Sequence, residues 1–184
     1  MPAKGTPKAA VYQLKITLRD SKPPIWRRVQ VPGDITLYKL HRVLQVVMGW
    51  TDSHLHQFVI DGRYYGEPDP EFREVVSEKR VRLSQVVGDE KARFVYEYDF
   101  GDNWQHQIVV ERILPPEEGK SYPVCLAGER AAPPEDCGGI WGYYELLQTL
   151  SNPDDPEHAQ MLEWAGGPID PEAFDLEGIN QMLR

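Results

Sequence analysis

Cysteine is nearly absent from this chain of 184 residues, which holds only Cys125 and Cys137. Set twelve positions apart, they lack the close cysteine pairing of common zinc motifs, and in a reducing compartment two such thiols stay free rather than bridged. No apolar run approaches the roughly 20 residues that a membrane-spanning helix needs. A Gly-rich phosphate loop of the P-loop or dinucleotide type is missing, and so is a nucleophile elbow; these are the commonest short signals of nucleotide-binding and acyl-transfer enzymes. Bases are scarce too, with 20 Lys and Arg against 29 Asp and Glu and a formal charge of −9. Non-specific nucleic-acid binding neutralises phosphates with Lys and Arg, so this balance argues against a DNA-coating protein.

The acidity is uneven. Residues 151–184 carry eight acids and a single base, Arg184, a net −7 that leaves −2 for everything before them. Arg27, Arg28, Lys39, Arg42, Lys79, Arg80 and Arg82 read either as a local basic patch or as solvated faces. Hydrophobic content of 41% and aromatic content of 10% suit a globular chain, and one of this length buries roughly 70% of its unfolded surface. It needs neither metal nor disulfide to fold. Residues 1–10 lack the apolar core of a signal peptide and are expected to be a disordered start to a cytoplasmic protein.

Tyr12, Leu14, Ile16 and Leu18 alternate with polar residues, the pattern of a half-buried strand. Ile25, Val29 and Val31 predict a second strand in a hairpin with the first. Thr36 is placed to cap a helix whose Leu37, Leu40, Leu44 and Val47 recur at helical spacing, and Gly49 is placed to end it. Leu55 to Asp61 reads as a third strand, followed by a turn into Arg63, Tyr64 and Tyr65. Residues 66–79 read as a surface loop, and Arg82 to Val87 as a helical turn or strand end. Residues 115–139 read as a Pro- and Gly-rich connection. Helices are then predicted from Ile140, Asp155 and Asp170, the last two from Asp-Pro-Glu starts.

This order predicts an α+β fold: a mixed-sheet, β-grasp-like roll with one helix across the sheet, or a split ferredoxin-like arrangement. Residues 11–184 are read as a single domain, with 140–184 a helical C-terminal part packed on the same core.

The most specific stretch is 96–111, YEYDFGDNWQHQIVVE. It reads as a hairpin turning near Asp102, with Phe94, Tyr96, Tyr98 and Phe100 on one face opposite Val110, Ile108, His106 and Trp104. Glu97, Asp99, Gln105 and Gln107 share the other face. Together with Pro123 to Gly128 (PVCLAG) and Pro133 to Tyr143 (PPEDCGGIWGY), this stretch resembles the Ri-plasmid ORF-3-like family, also described as TnpR-like passengers of insertion elements. The resemblance runs from about Val11 to Leu150. It implies an α+β domain carried on prokaryotic plasmids, mobile elements and chromosomes, and it brings no reaction with it. Relatives carry a third cysteine before the double proline, where this chain has Ala132. No serine stands amid the arginines that a serine recombinase needs.

Several side chains are candidates for chemistry. His54, His56 and His106 could supply a three-nitrogen zinc site that activates water in a metal-dependent hydrolase or nuclease; otherwise they are partly buried histidines bonded to Tyr or backbone. Asp99, Asp102, Glu111, Glu135 and Asp136 are the available acids. Asp102 suits a turn and Asp136 a cap for the helix near Ile140, while Glu135 and Asp99 have no ready structural duty. Trp104, Trp141 and Tyr144 are possible exposed platforms. The leading expectation is a binding or accessory module without a cofactor, displaying Asp99, Asp102, Trp104, Glu135, Asp136 and Trp141 to an unidentified protein or nucleic-acid partner.

Overall fold

The computed structural model describes residues 9–71 and 74–184. The disorder expected at 1–10 therefore falls, over 1–8, outside the described residues. Ala10 is already tied in, its carbonyl accepting from the Gly33 amide at 2.6 Å.

Among the described residues, eight strands form one mixed sheet: β1 Val11–Leu18, β2 Trp26–Pro32, β3 His56–Ile60, β4 Arg63–Gly66, β5 Val75–Ser77, β6 Arg93–Tyr98, β7 Trp104–Leu114 and β8 Val124–Glu129. Their order is β5-β4-β3-β6-β7-β1-β2-β8, and only the β4–β5 pair is parallel. The helices are α1 Leu37–Met48, α2 Leu83–Val86, α3 Gly139–Ser151, α4 His158–Trp164 and α5 Leu176–Met182. The class is α+β, as expected.

Alternation in the strands decides which face is covered. Leu14, Ile16, Phe58, Phe94, Tyr96 and Ile108 form one buried cluster with Leu37, Leu40 and Leu44 of α1, so the helix lies on that face. Each such side chain contributes about 1.5–3 kcal/mol on burial. Thr36 Oγ1 accepts from the Lys39 amide at 3.2 Å, and Gly49 closes the helix in the left-handed region at φ 69°. The opposite face is polar: Glu111 accepts from Gln13 and Arg28, and Glu97 from Gln57 and Gln105. One face packed and one wet is what an antiparallel sheet permits.

That arrangement also disposes of two candidate bases. Arg28 is held by Glu111 at 2.6 Å. Arg27 is buried and donates to the carbonyls of Val47, Trp26 and Glu129, and burial draws its pKa down to about 10.

The hairpin faces are the expected ones, but the register is shifted by two residues from a turn centred near Asp102. Phe94 lies opposite Ile108 rather than Val110, Tyr96 opposite His106 and Tyr98 opposite Trp104, because Asp99 leaves the strand for the left-handed region and Phe100 joins the turn. Trp104 is only 1% exposed, which corrects its reading as a platform. The connection at 115–139 contains β8, and the loop at 66–79 contains β5. The Asp155 and Asp170 signals start no helix there. Each carboxylate instead accepts from the amide two residues on, that of Glu157 or Glu172, so α4 begins at His158 and α5 is capped by Asp175. Asn180 of α5 bonds both the amide and the carbonyl of Cys125, covering the outer edge of β8.

His106 is fully enclosed, its Nδ1 3.2 Å from the Tyr96 carbonyl and its Nε2 without a partner among the described residues. Burial pushes its pKa from 6.5 down to about 4. Between those values the unfolded chain binds the proton and the folded one does not. The contribution is therefore full above about 6.5 and lost as pH falls through about 4. Urea unfolding across that range is expected to show stability falling with pH. His106→Phe, which keeps the ring volume and removes this titration, is expected to reduce the slope, buried His41 of α1 supplying the remainder; an unchanged slope would contradict this assignment.

Candidate functional site

The two motif segments lock into each other. At the end of β6, Asp99 takes up a left-handed conformation at φ 57°. Its Oδ1 accepts from the amides of Gly101 at 2.9 Å and Asp102 at 3.3 Å. This takes Asp99 out of strand alternation, so it is buried rather than on the outer face with Glu97. Phe100, expected inward, is 51% exposed.

Asp102 serves the other segment rather than its own turn: its Oδ2 accepts from the Gly138 amide at 3.1 Å, at the N-terminus of α3. Gly139, at φ 72°, lies so close that a Cβ there would stand 2.6 Å from the Asp102 carbonyl oxygen. Close approach thus explains Gly139, while Gly138 is called for by its left-handed φ of 93°. Asp136 does not cap α3, whose N-cap is Gly138; its carboxylate lies beside His54. Glu135, for which no structural duty was expected, has one. It accepts from the Thr51 amide at 3.2 Å, from Thr51 Oγ1 at 2.6 Å and from the Tyr98 hydroxyl. Trp50 Nε1 donates to the Pro133 carbonyl at 2.9 Å.

The three expected zinc-binding histidines are not brought together. β6 lies between β3 and β7, a spacing of about 10 Å from strand to strand, and this separates His56 from His106. His54 sits apart with Asp99 and Asp136. His56, on the face of Phe58 as expected, stacks instead on His41 of α1, ring centroids 3.4 Å apart. His56 Nε2 lies 2.9 Å from buried Glu78.

His41 closes a ring of hydrogen bonds. Gln45 Oε1 accepts from the Asp52 amide at 2.8 Å, while Gln45 Nε2 donates to the Tyr96 hydroxyl at 3.0 Å. The Tyr96 proton therefore points to His41 Nδ1 at 2.8 Å, leaving the His41 proton on Nε2 to reach Asp52 Oδ1 at 2.8 Å. Burial and, after it, the neighbouring His56 push the His41 pKa down to about 4, so the ring is neutral at pH 7.

His41, Asp52 and Glu78 escaped the sequence reading. His41 had a signal, since it follows Leu40 on the apolar stripe of α1. Glu78, at the end of a charged loop, had none.

These groups form the floor of a cleft of about 1100 Å³. Leu55, 64% exposed, and Phe100 stand at its rim with Tyr38. Asp52, Glu67, Asp69 and Glu78 line it against one lysine, Lys79. Trp141 is 73% exposed but lies outside the lining. Both cysteines are free. Burial raises the thiol pKa of each, that of Cys137 to about 12 with Asp102 adding to the effect.

Fold and site define an α+β protein with one mixed sheet and an acidic cleft that carries Phe100 of one of the two interlocked motif loops at its rim. The chain belongs to the plasmid pRiA4b ORF-3-like protein family, whose model matches residues 10–178. It is 44% identical over 178 residues to the uncharacterized protein y4hQ of Sinorhizobium fredii, covering 95% of this chain and 91% of that one. A crystal structure of a protein of unknown function, MM3350 from Methanosarcina mazei Go1, superposes with a TM-score of 0.84 at 42% identity, covering 94% and 98% of the two chains.

Glu135→Ala strands the buried Tyr98 hydroxyl without its acceptor and is expected to cost about 1–3 kcal/mol. Asp136→Ala, at a side chain 67% exposed, is expected to change stability by no more than about 0.5 kcal/mol. Urea unfolding in the presence of EDTA checks the pair; equal losses would contradict the tie.

Proposed function

We propose that the protein is a binding module whose cleft receives a cationic group on an apolar stem, the chemistry of a lysine or arginine side chain on a protein partner. The observation that carries this reading is the pairing of an acidic lining with an apolar rim. Four carboxylates face the cleft against one lysine, which favours a cation, and Leu55, Phe100 and Tyr38 offer apolar contact to its stem. Focused in a concave site, such a charge imbalance raises the local concentration of a cationic partner.

Two features support binding over catalysis. His41 is neutral with both nitrogens committed, which unsuits it as a general base at pH 7. Among the described residues no serine or cysteine is hydrogen-bonded to a histidine, the pairing that activates a nucleophile. Phosphate ligands fit poorly beside these carboxylates, so a protein partner is favoured over nucleic acid. In this reading the module is accessory to a plasmid, the kind of element that the family's name mentions.

NMR titration at matched ionic strength tests the reading, with N-acetyl-arginine amide as cationic probe, N-acetyl-norleucine amide as neutral probe and N-acetyl-glutamate amide as anionic probe. The arginine probe is expected to shift the amides of Leu55, Phe100 and Val75 and to bind roughly tenfold tighter than the neutral one, the ratio that one hydrogen bond to a charged group supplies. Equal affinities, preference for the anion, or shifts confined to another surface would overturn it.

A further inference from the structure

Two histidine–carboxylate groups lie at this end of the sheet, and they differ in one respect. In the group of His41, Asp52 and His56, His41 has both nitrogens hydrogen-bonded and His56 Nε2 is engaged by Glu78. That network is complete without a further ligand. In the group of His54, Asp99 and Asp136, the His54 Nε2 atom is shielded from solvent yet has no hydrogen-bond partner among the described residues. It lies 2.9 Å from Asp136 Oδ1 and 3.6 Å from Asp99 Oδ2, but the first contact is not aligned as a hydrogen bond and the second is too long for one. A buried nitrogen held between two carboxylates without a directed proton is what a metal ligand looks like before the metal is counted.

We propose that His54, Asp99 and Asp136 bind a divalent cation of the zinc class. Ligand atoms of the three residues lie within 4.8 Å of one another. The two measured nitrogen–oxygen separations bracket the edge of about 3.3 Å expected of a tetrahedron with bonds near 2.0–2.1 Å. An imidazole among the donors selects Zn²⁺ and its neighbours over Ca²⁺ and Mg²⁺, which take oxygen ligands. Asp99 is already oriented from behind: the Gly101 and Asp102 amides hold its Oδ1, leaving Oδ2 on the His54 side, in the manner of an outer shell that fixes a ligand. Asp136 is 67% exposed, so water can complete the coordination.

The ligands come from three segments: the loop after α1, the β6–β7 turn and the segment before α3. Two of them are followed directly by the exposed apolar residues of the cleft rim, Leu55 after His54 and Phe100 after Asp99. A bound cation therefore staples the motif loops together and fixes the rim. It does so whether or not the cleft takes a cationic side chain.

The test uses the full chain without a histidine tag, stripped with EDTA and titrated with ZnCl₂ by calorimetry, with Co²⁺ absorption as a second readout of coordination. One equivalent of Zn²⁺ is expected to bind and to raise the melting temperature. His54→Gln and Asp136→Asn each remove a ligand and are expected to weaken binding about a hundredfold and to abolish the thermal shift, with the melting temperature in EDTA kept by Asp136→Asn. Asp52→Asn, in the neighbouring group, is expected to leave Zn²⁺ affinity unchanged. Absence of stoichiometric binding by the wild type, binding that survives both ligand substitutions, or binding lost in Asp52→Asn would each overturn the proposal.

Discussion

Two phenol hydroxyls, those of Tyr96 and Tyr98, are carried into the core two residues apart on β6, and each must find hydrogen-bond partners there. A buried hydroxyl left alone costs about 1–3 kcal/mol, so the surrounding elements are arranged to meet them. Tyr96 is met by His41 and Gln45 of α1, and through them by Asp52. Tyr98 is met by the Ser53 amide and by Glu135. The loop after α1 and the segment before α3 are thus both fastened to one strand. The strand's own pairing with β7 places the two tyrosines.

From that constraint the cleft follows. Holding Asp52 and Ser53 in place sets the path of the chain to His54, Leu55 and His56, and holding Glu135 sets Asp136 beside His54. Asp102 adds a second link by receiving the Gly138 amide. Acids that look catalytic in the sequence divide into two kinds. Glu135 and Asp102 tie backbone segments together, while Asp99 and Asp136 converge on an imidazole that nothing else satisfies.

Much of the fold was legible because it is local. The alternation of Tyr12, Leu14, Ile16 and Leu18, the Thr36 and Gly49 caps and the inward face of Phe94, Tyr96 and Tyr98 are each written within one element, and each stands as read, whereas the pairing across the hairpin is shifted by two residues because Asp99 leaves the strand early. What was not legible depends on partners far along the chain. β8 lies in a stretch rich in Pro and Gly, and its edge is completed by the side chain of Asn180, which no periodicity records. Asp155 and Asp170 misled because a carboxylate before Pro can close a short turn on the amide two residues on as readily as it starts a helix. In the site, His54, Asp99 and Asp136 were each singled out, but the grouping of His56 with His106 failed because strand order, which puts β6 between β3 and β7, is not encoded in spacing. His41 was within reach, since a histidine on an apolar helical stripe must be answered by a buried partner.

The central claim is that the buried tyrosines dictate the state of the groups around the cleft, and the tautomer of His41 reads this most directly. Long-range proton–nitrogen NMR at pH 7 is expected to show His41 neutral with its proton on Nε2 in the wild type, and to show that preference lost in Tyr96→Phe. A His41 ring that is charged, or protonated on Nδ1, in the wild type would contradict the account.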